Sequence, residues 1–116
     1  MEITVVDAIS LGAMRLDELT RGTFLEEDEE GRWCGCVRGA ICVAMMSEQD
    51  WDAYKNNEIA SFPKESWFCN SDLAIRALTL AEIYFEGWCD EGEHSLEEVL
   101  MRLKEEGYEG AMLSMG

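Results

Sequence analysis

Five cysteines and one histidine are the residues whose types could do chemistry: Cys34, Cys36, Cys42, Cys69, Cys89 and His94. Cys34, Cys36, Cys69, Cys89 and His94 supply enough donors for a zinc ion. Structural zinc sites draw their ligands from tight Cys-x-x-Cys knuckles, and this chain offers only Cys34-x-Cys36. The expectation is therefore no metal, with those five residues as the alternative ligand set. Cys42 lies between Ile41 and Val43 and reads as a small buried hydrophobe. A nucleophilic thiol needs a base, which makes Cys36 with His94 the dyad to weigh. Against it, Cys36 has glycine and apolar neighbours and no anion stabiliser, while His94 sits among Glu91, Glu93 and Glu97 in a solvated stretch. No catalytic residue and no cofactor is expected, and the chain reads as a protein that is not an enzyme.

The second chemical resource is carboxylate. Asp and Glu number 25 against nine Lys and Arg, a formal charge of −16 in 116 residues. The densest run is Glu26-Glu27-Asp28-Glu29-Glu30, and Asp90, Glu91 and Glu93 form a second group. The run lacks the alternating Asp-x-Asp-x-Asp-Gly ligand order of a calcium loop. It reads first as a solvated face, since acidic surfaces keep proteins in solution. About one net negative charge per seven residues nevertheless imposes self-repulsion on the compact state. Such a surface repels nucleic acid and anionic membranes and steers toward basic surfaces. Direct nucleic-acid binding and membrane binding are thus not expected. These eight acidic residues are the expected contacts to a basic partner, with Trp33 or Trp51 as an aromatic anchor.

Because 47% of the residues are hydrophobic, the chain can offset its conformational entropy and is not a disordered acidic tail. Its length suits one globular domain with a modest core. The N-terminal Met1-Glu2-Ile3-Thr4 has no basic n-region and no apolar run approaches a membrane span. An odd number of cysteines without a signal peptide reads as reduced thiols in a cytoplasm.

These residues must be positioned by local elements. Thr4 and Asp7 resemble a capping box, and Val6, Ile9, Ala13 and Leu16 recur at helical spacing, which predicts a helix over 5–16. A strand over 3–6 competes, because β-branched residues cluster there. Gly12 lowers helix propensity by roughly 1 kcal/mol, which implies that another backbone passes close by. Residues 20–32 read as an exposed acidic connection, with a short hairpin from 23–25 to 32–33 as a weaker option. A tightly packed central helix is expected over about 36–46. Ser47 and Asp50 cap a short helix carrying Trp51 and Tyr54 on one face.

Residues 56–68 read as a loop broken by Pro63. Asn70 or Ser71 begins the longest helix, about 71–88, whose buried face is Leu73, Ala74, Ala77, Leu78, Ala81, Tyr84, Phe85 and Trp88. Ser95-Leu96-Glu97-Glu98 is a capping-box pattern for a last helix that Gly107 stops. The expected architecture is an all-α bundle of four to five helices, monomeric or dimeric.

The stretches Ala8-Ile9-Ser10-Leu11-Gly12-Ala13-Met14 and Cys36-Val37-Arg38-Gly39-Ala40-Ile41-Cys42-Val43-Ala44 resemble small uncharacterised phage and prophage proteins patterned "LxLGAM…CALGAA". The likeness rests on Leu11, Gly12, Ala13, Met14, Cys36, Gly39 and Ala40 and departs from the pattern at Arg38 and in the acidic insertion. It implies a viral or mobile-element context, hence a host cytoplasm, where small acidic proteins often inhibit defence enzymes. Three readings follow. The first is a DNA-mimic or anti-CRISPR-like inhibitor of a basic, nucleic-acid-binding host defence protein. The alternatives are a small Cys-based zinc or redox protein and a structural phage accessory protein.

Overall fold

A computed structural model describes residues 2–58 and 61–115. It is mixed α/β, not the expected all-α bundle: six helices and five short strands in two sheets lie among the described residues. A strand near residue 3 and a hairpin between 23–25 and 32–33 were the weaker options at the sequence level, because each strand is only two or three residues long, too short for a period-2 pattern to register; β2 and β5 carried no signal.

The N-terminal segment satisfies both competing expectations in turn. Strand β1 covers Glu2–Thr4, and helix α1 covers Val5–Arg15, capped by the Thr4 hydroxyl accepting from the Asp7 amide at 3.0 Å. Strands β2 (Glu18–Leu19), β3 (Leu25–Glu27) and β4 (Trp33–Gly35) then form a sheet in the order β2-β4-β3, with β2 parallel and β3 antiparallel to β4. The acidic connection is thus an ordered hairpin, and the pairing runs Leu25↔Gly35 to Glu27↔Trp33.

Helix α2 (Val37–Ala44) is the centre of the fold, and all but Arg38 of its residues are buried. It crosses α1 where Gly12 meets Ala40: a Cβ built on Gly12 would lie 1.8 Å from the Ala40 carbonyl oxygen. On its other side, a Cβ on Gly39 would lie 1.9 Å from the Phe24 carbonyl oxygen. Gly12, Gly39 and Ala40 are therefore the small residues that two backbone approaches require. Arg15, from the last turn of α1, donates to the Val43 and Met46 carbonyls at 3.0 and 2.7 Å. It thereby satisfies orphan carbonyls at the end of α2.

Helix α3 (Glu48–Lys55), capped by Ser47, seats Trp51 in a small core with Leu16, Val43 and Met46. Trp51 is buried and packs on Trp33 and Tyr54 at ring separations of 5.5 and 6.0 Å. Neither expected aromatic anchor projects freely: Trp33 is half-buried between Trp51 and Tyr54. The expected loop over 56–68 contains a short helix α4 (Glu65–Phe68) whose Phe68 is fully buried, while residues 59 and 60 lie outside the described residues.

Helix α5 (Asp72–Glu86) starts at a Ser71 cap and stops two residues earlier than expected, at Gly87 with φ 83°. Ala74, Ala77, Leu78, Ala81 and Phe85 are buried as expected. Tyr84 is half-buried, and Leu73 and Trp88 are exposed at 42% and 67%; the αL residue Gly87 ends the helix before Trp88. Helix α6 (Leu96–Glu105) has the full Ser95/Glu98 capping box and buries Val99 and Leu103. The chain then returns as β5 (Met112–Ser114), antiparallel to β1 with Ile3 opposite Leu113.

Candidate functional site

Two acidic segments stand out once the folding roles of the cations are assigned. In the β3–β4 hairpin, the Asp28 carboxylate accepts from the Glu30 and Arg32 amides at 2.9 and 2.8 Å, and Gly31 at φ 81° completes the turn. Arg32 closes the structure by pairing with Glu18 at 2.8 Å and Asp28 at 3.6 Å. Asp28 is thus occupied within the turn. Glu26, Glu27, Glu29 and Glu30 are exposed and make no ion pair among the described residues. The result is four free carboxylates on a backbone that the fifth holds in shape.

The second segment is the turn between α5 and α6. Gly87 is required there twice, for its positive φ and because a Cβ would lie 2.7 Å from Glu93 Cγ. Trp88, Asp90, Glu91 and Glu93 are exposed along it. Sequence reasoning placed Trp88 in the core, although Gly87 was the signal that the helix ends before it.

Arg21 joins the two segments. Its guanidinium lies 4.3 Å above the Phe85 ring, donates to the Phe85 and His94 carbonyls at 2.6 and 2.8 Å, and pairs with Glu93 at 3.5 Å. The neighbouring Gly22 amide donates to the Glu86 carboxylate at 3.0 Å. Glu26 follows Gly22 by four residues, so the start of the acidic run lies within about 14 Å of this anchor by chain reach.

Arg38 pairs with Glu82 at 2.7 Å and Glu65 at 3.5 Å, and Arg102 pairs with Glu106 at 3.2 Å. The cations are mostly engaged in holding elements together, which leaves the surface carboxylates of the hairpin uncompensated.

The alternative zinc set is split by the fold. Cys34 lies on β4, Cys36 is the N-cap residue of α2, and Cys69 ends α4; all five thiols are free. Burial pushes the Cys34, Cys36, Cys42 and Cys69 thiols up, Cys42 to about 12, and carboxylates nearby add to the effect. Raised thiols are poor nucleophiles and poor metal ligands. No hydrogen bond joins Cys36 to His94, whose ring nitrogens face Glu98 and Glu91 instead.

Cys89 and His94 do come together, and the third member is Glu91, one of the acids expected to contact a partner. The donor atoms of Cys89, Glu91 and His94 all lie within 4.8 Å of one another. His94 Nδ1 lies 3.0 Å from Glu98 Oε2, and Ser95 donates to the same carboxylate through its hydroxyl at 3.0 Å. The His94 side chain, with the Ser95 amide and hydroxyl, holds the Glu98 carboxyl below its usual range. Glu91 and His94 also line a half-open cavity of about 160 Å³, together with Tyr84, Met101 and Arg102. A Cys–His–carboxylate relay would need Nε2 open to the thiol. Here Glu91 Oε2 stands 3.2 Å from Nε2, and the Cys89 thiol donates to the Gly92 carbonyl at 3.5 Å. The spacing Cys-x-Glu-x-x-His was the sequence signal for this group, obscured by the search for paired cysteines.

Among the described residues, no helix is long and apolar enough to cross a membrane. No protein-family model, curated protein or solved structure matches the chain.

Proposed function

We propose that the protein is a non-enzymatic binding protein that presents carboxylates to a basic, nucleic-acid-binding partner and competes with nucleic acid for it. The observation that carries the reading is the β3–β4 hairpin. Four exposed, unpaired glutamates are carried on a turn that Asp28 and Arg32 brace internally. The bracing holds the turn together, and a pre-shaped array of charges also lowers the ordering cost of binding. Repulsion among these carboxylates is relieved when a cationic surface approaches, which favours association and makes it sensitive to salt. Exposed Asp90, Glu91 and Glu93 form a second acidic segment, in which Glu91 and Glu93 are partly neutralised by His94, Arg102 and Arg21, and exposed Trp88 is the apolar anchor beside them. The phage-type resemblance suggests a host defence complex as the partner.

The test is capture from bacterial lysate on immobilised protein, with elution by salt and mass spectrometry of the eluate. The reading predicts basic nucleic-acid-binding proteins that double-stranded DNA displaces. Captured proteins that are neither basic nor displaced by DNA would refute it.

A further inference from the structure

The geometry points to a zinc site at Cys89, Glu91 and His94, in the turn between α5 and α6. Thiolate, imidazole and carboxylate together are a donor set that suits zinc and excludes magnesium or calcium, which take oxygen ligands. The three donor atoms lie within 4.8 Å of one another. Tetrahedral zinc places its ligand atoms about 3.4–3.8 Å apart, so a contraction of about 1 Å assembles the site. Gly92, at φ 84° with open space around it, sits inside the turn where that adjustment must occur.

What distinguishes this group from an acidic cluster is the orientation of each donor. The capping box that starts α6 fixes Glu98 through Ser95. Glu98 faces His94 Nδ1 at 3.0 Å; a carboxylate there accepts from Nδ1–H, the tautomer that leaves the Nε2 lone pair for a metal. Nε2 is buried and stands 3.2 Å from Glu91 Oε2, which brings two of the three donors together. Glu91 is oriented from its other side, where Arg102 lies 3.8 Å from Oε1 and leaves Oε2 toward the imidazole. Cys89 would bind as thiolate, releasing its proton to buffer. Three protein donors leave the fourth position for water. Bridging Cys89 to His94 would also clip the turn that carries Trp88 and Asp90.

The site does not rest on the partner reading, because zinc uptake is measured with no partner present. Purified protein is loaded with zinc sulfate, dialysed and assayed by elemental analysis. One zinc per chain is expected for wild type and for Cys69→Ser, and none for Cys89→Ser or His94→Gln. On the wild type itself, zinc should slow alkylation of Cys89 at least about ten-fold without slowing that of Cys69, read by peptide mass mapping. Substoichiometric uptake by wild type, undiminished uptake in either site variant, or equal Cys89 alkylation with and without zinc would overturn the assignment.

Discussion

Gly12→Ala is the sharpest test of the helix crossing, because two physical effects predict opposite signs. Helix propensity alone favours alanine by about 1 kcal/mol in the interior of α1. The new Cβ, however, would lie 1.8 Å from the Ala40 carbonyl oxygen, 2.3 Å from its carbon and 2.7 Å from its Cα. All three are backbone atoms of α2, so no side chain can swing aside. Reaching ordinary contact at 3.4 Å requires the helices to separate by about 1.6 Å. A gap of even 0.5–1 Å forfeits roughly a quarter to a half of the dispersion energy between facing atoms. The cost also falls on the buried neighbours Ile9, Ile41 and Ala44, which share that contact.

Overpacking of this kind costs roughly 3 kcal/mol or more, leaving a net loss of about 2 kcal/mol after the propensity gain. Urea unfolding should show a lower midpoint at unchanged slope, and Tm should fall by about 10 °C. Gly110→Ala is the control, since its Cβ meets nothing within 4 Å and its φ is not positive; it should be neutral or slightly stabilising. A Gly12→Ala protein as stable as wild type would refute the close crossing and the packing explanation of Gly12.

Two further outcomes follow from the hairpin and the buried thiols. Asp28→Ala removes the acceptor for two turn amides and should cost about 1 kcal/mol, the usual scale for a capping side chain, with increased amide exchange confined to 25–35; a neutral substitution would show that the turn is held otherwise. The Cys42 thiol is raised from 9.0 to about 12 by burial, so above pH 9 the unfolded chain loses a proton that the folded chain retains. Stability should therefore be full below pH 9 and decline toward pH 12, at up to about 1.4 kcal/mol per pH unit from this group, and Cys42→Ala should flatten the decline measured by urea unfolding. An unchanged alkaline slope in that variant would refute the assignment.

What the sequence made legible is what short-range chemistry dictates. Thr4, Ser47, Ser71 and Ser95 each cap a helix within three residues of themselves, so four starts could be read directly. Gly12 announced a close backbone, and the structure supplies Ala40. The local β3–β4 hairpin was faintly legible, but β5 was not, because it is defined by long-range pairing to β1 more than a hundred residues earlier. Trp88 was misplaced because the apolar stripe was extended through Gly87, whose αL conformation ends it. Of the candidate site, the acidic run was plain, but Asp28's turn role and Arg21's bridge depend on contacts that spacing does not encode.

The central claim is that the hairpin carboxylates engage a cationic partner. Once a partner has been captured, its association and dissociation rates should be compared for wild type and a Glu26→Gln, Glu27→Gln, Glu29→Gln, Glu30→Gln variant, at low and high salt. Asp28 is left intact so that the turn persists, and Tm should be nearly unchanged. The account predicts association slowed about ten-fold at low salt, little change in dissociation, and a difference that shrinks at high salt. Equal association rates at low salt would contradict it and reduce the acidic run to a solubilising surface.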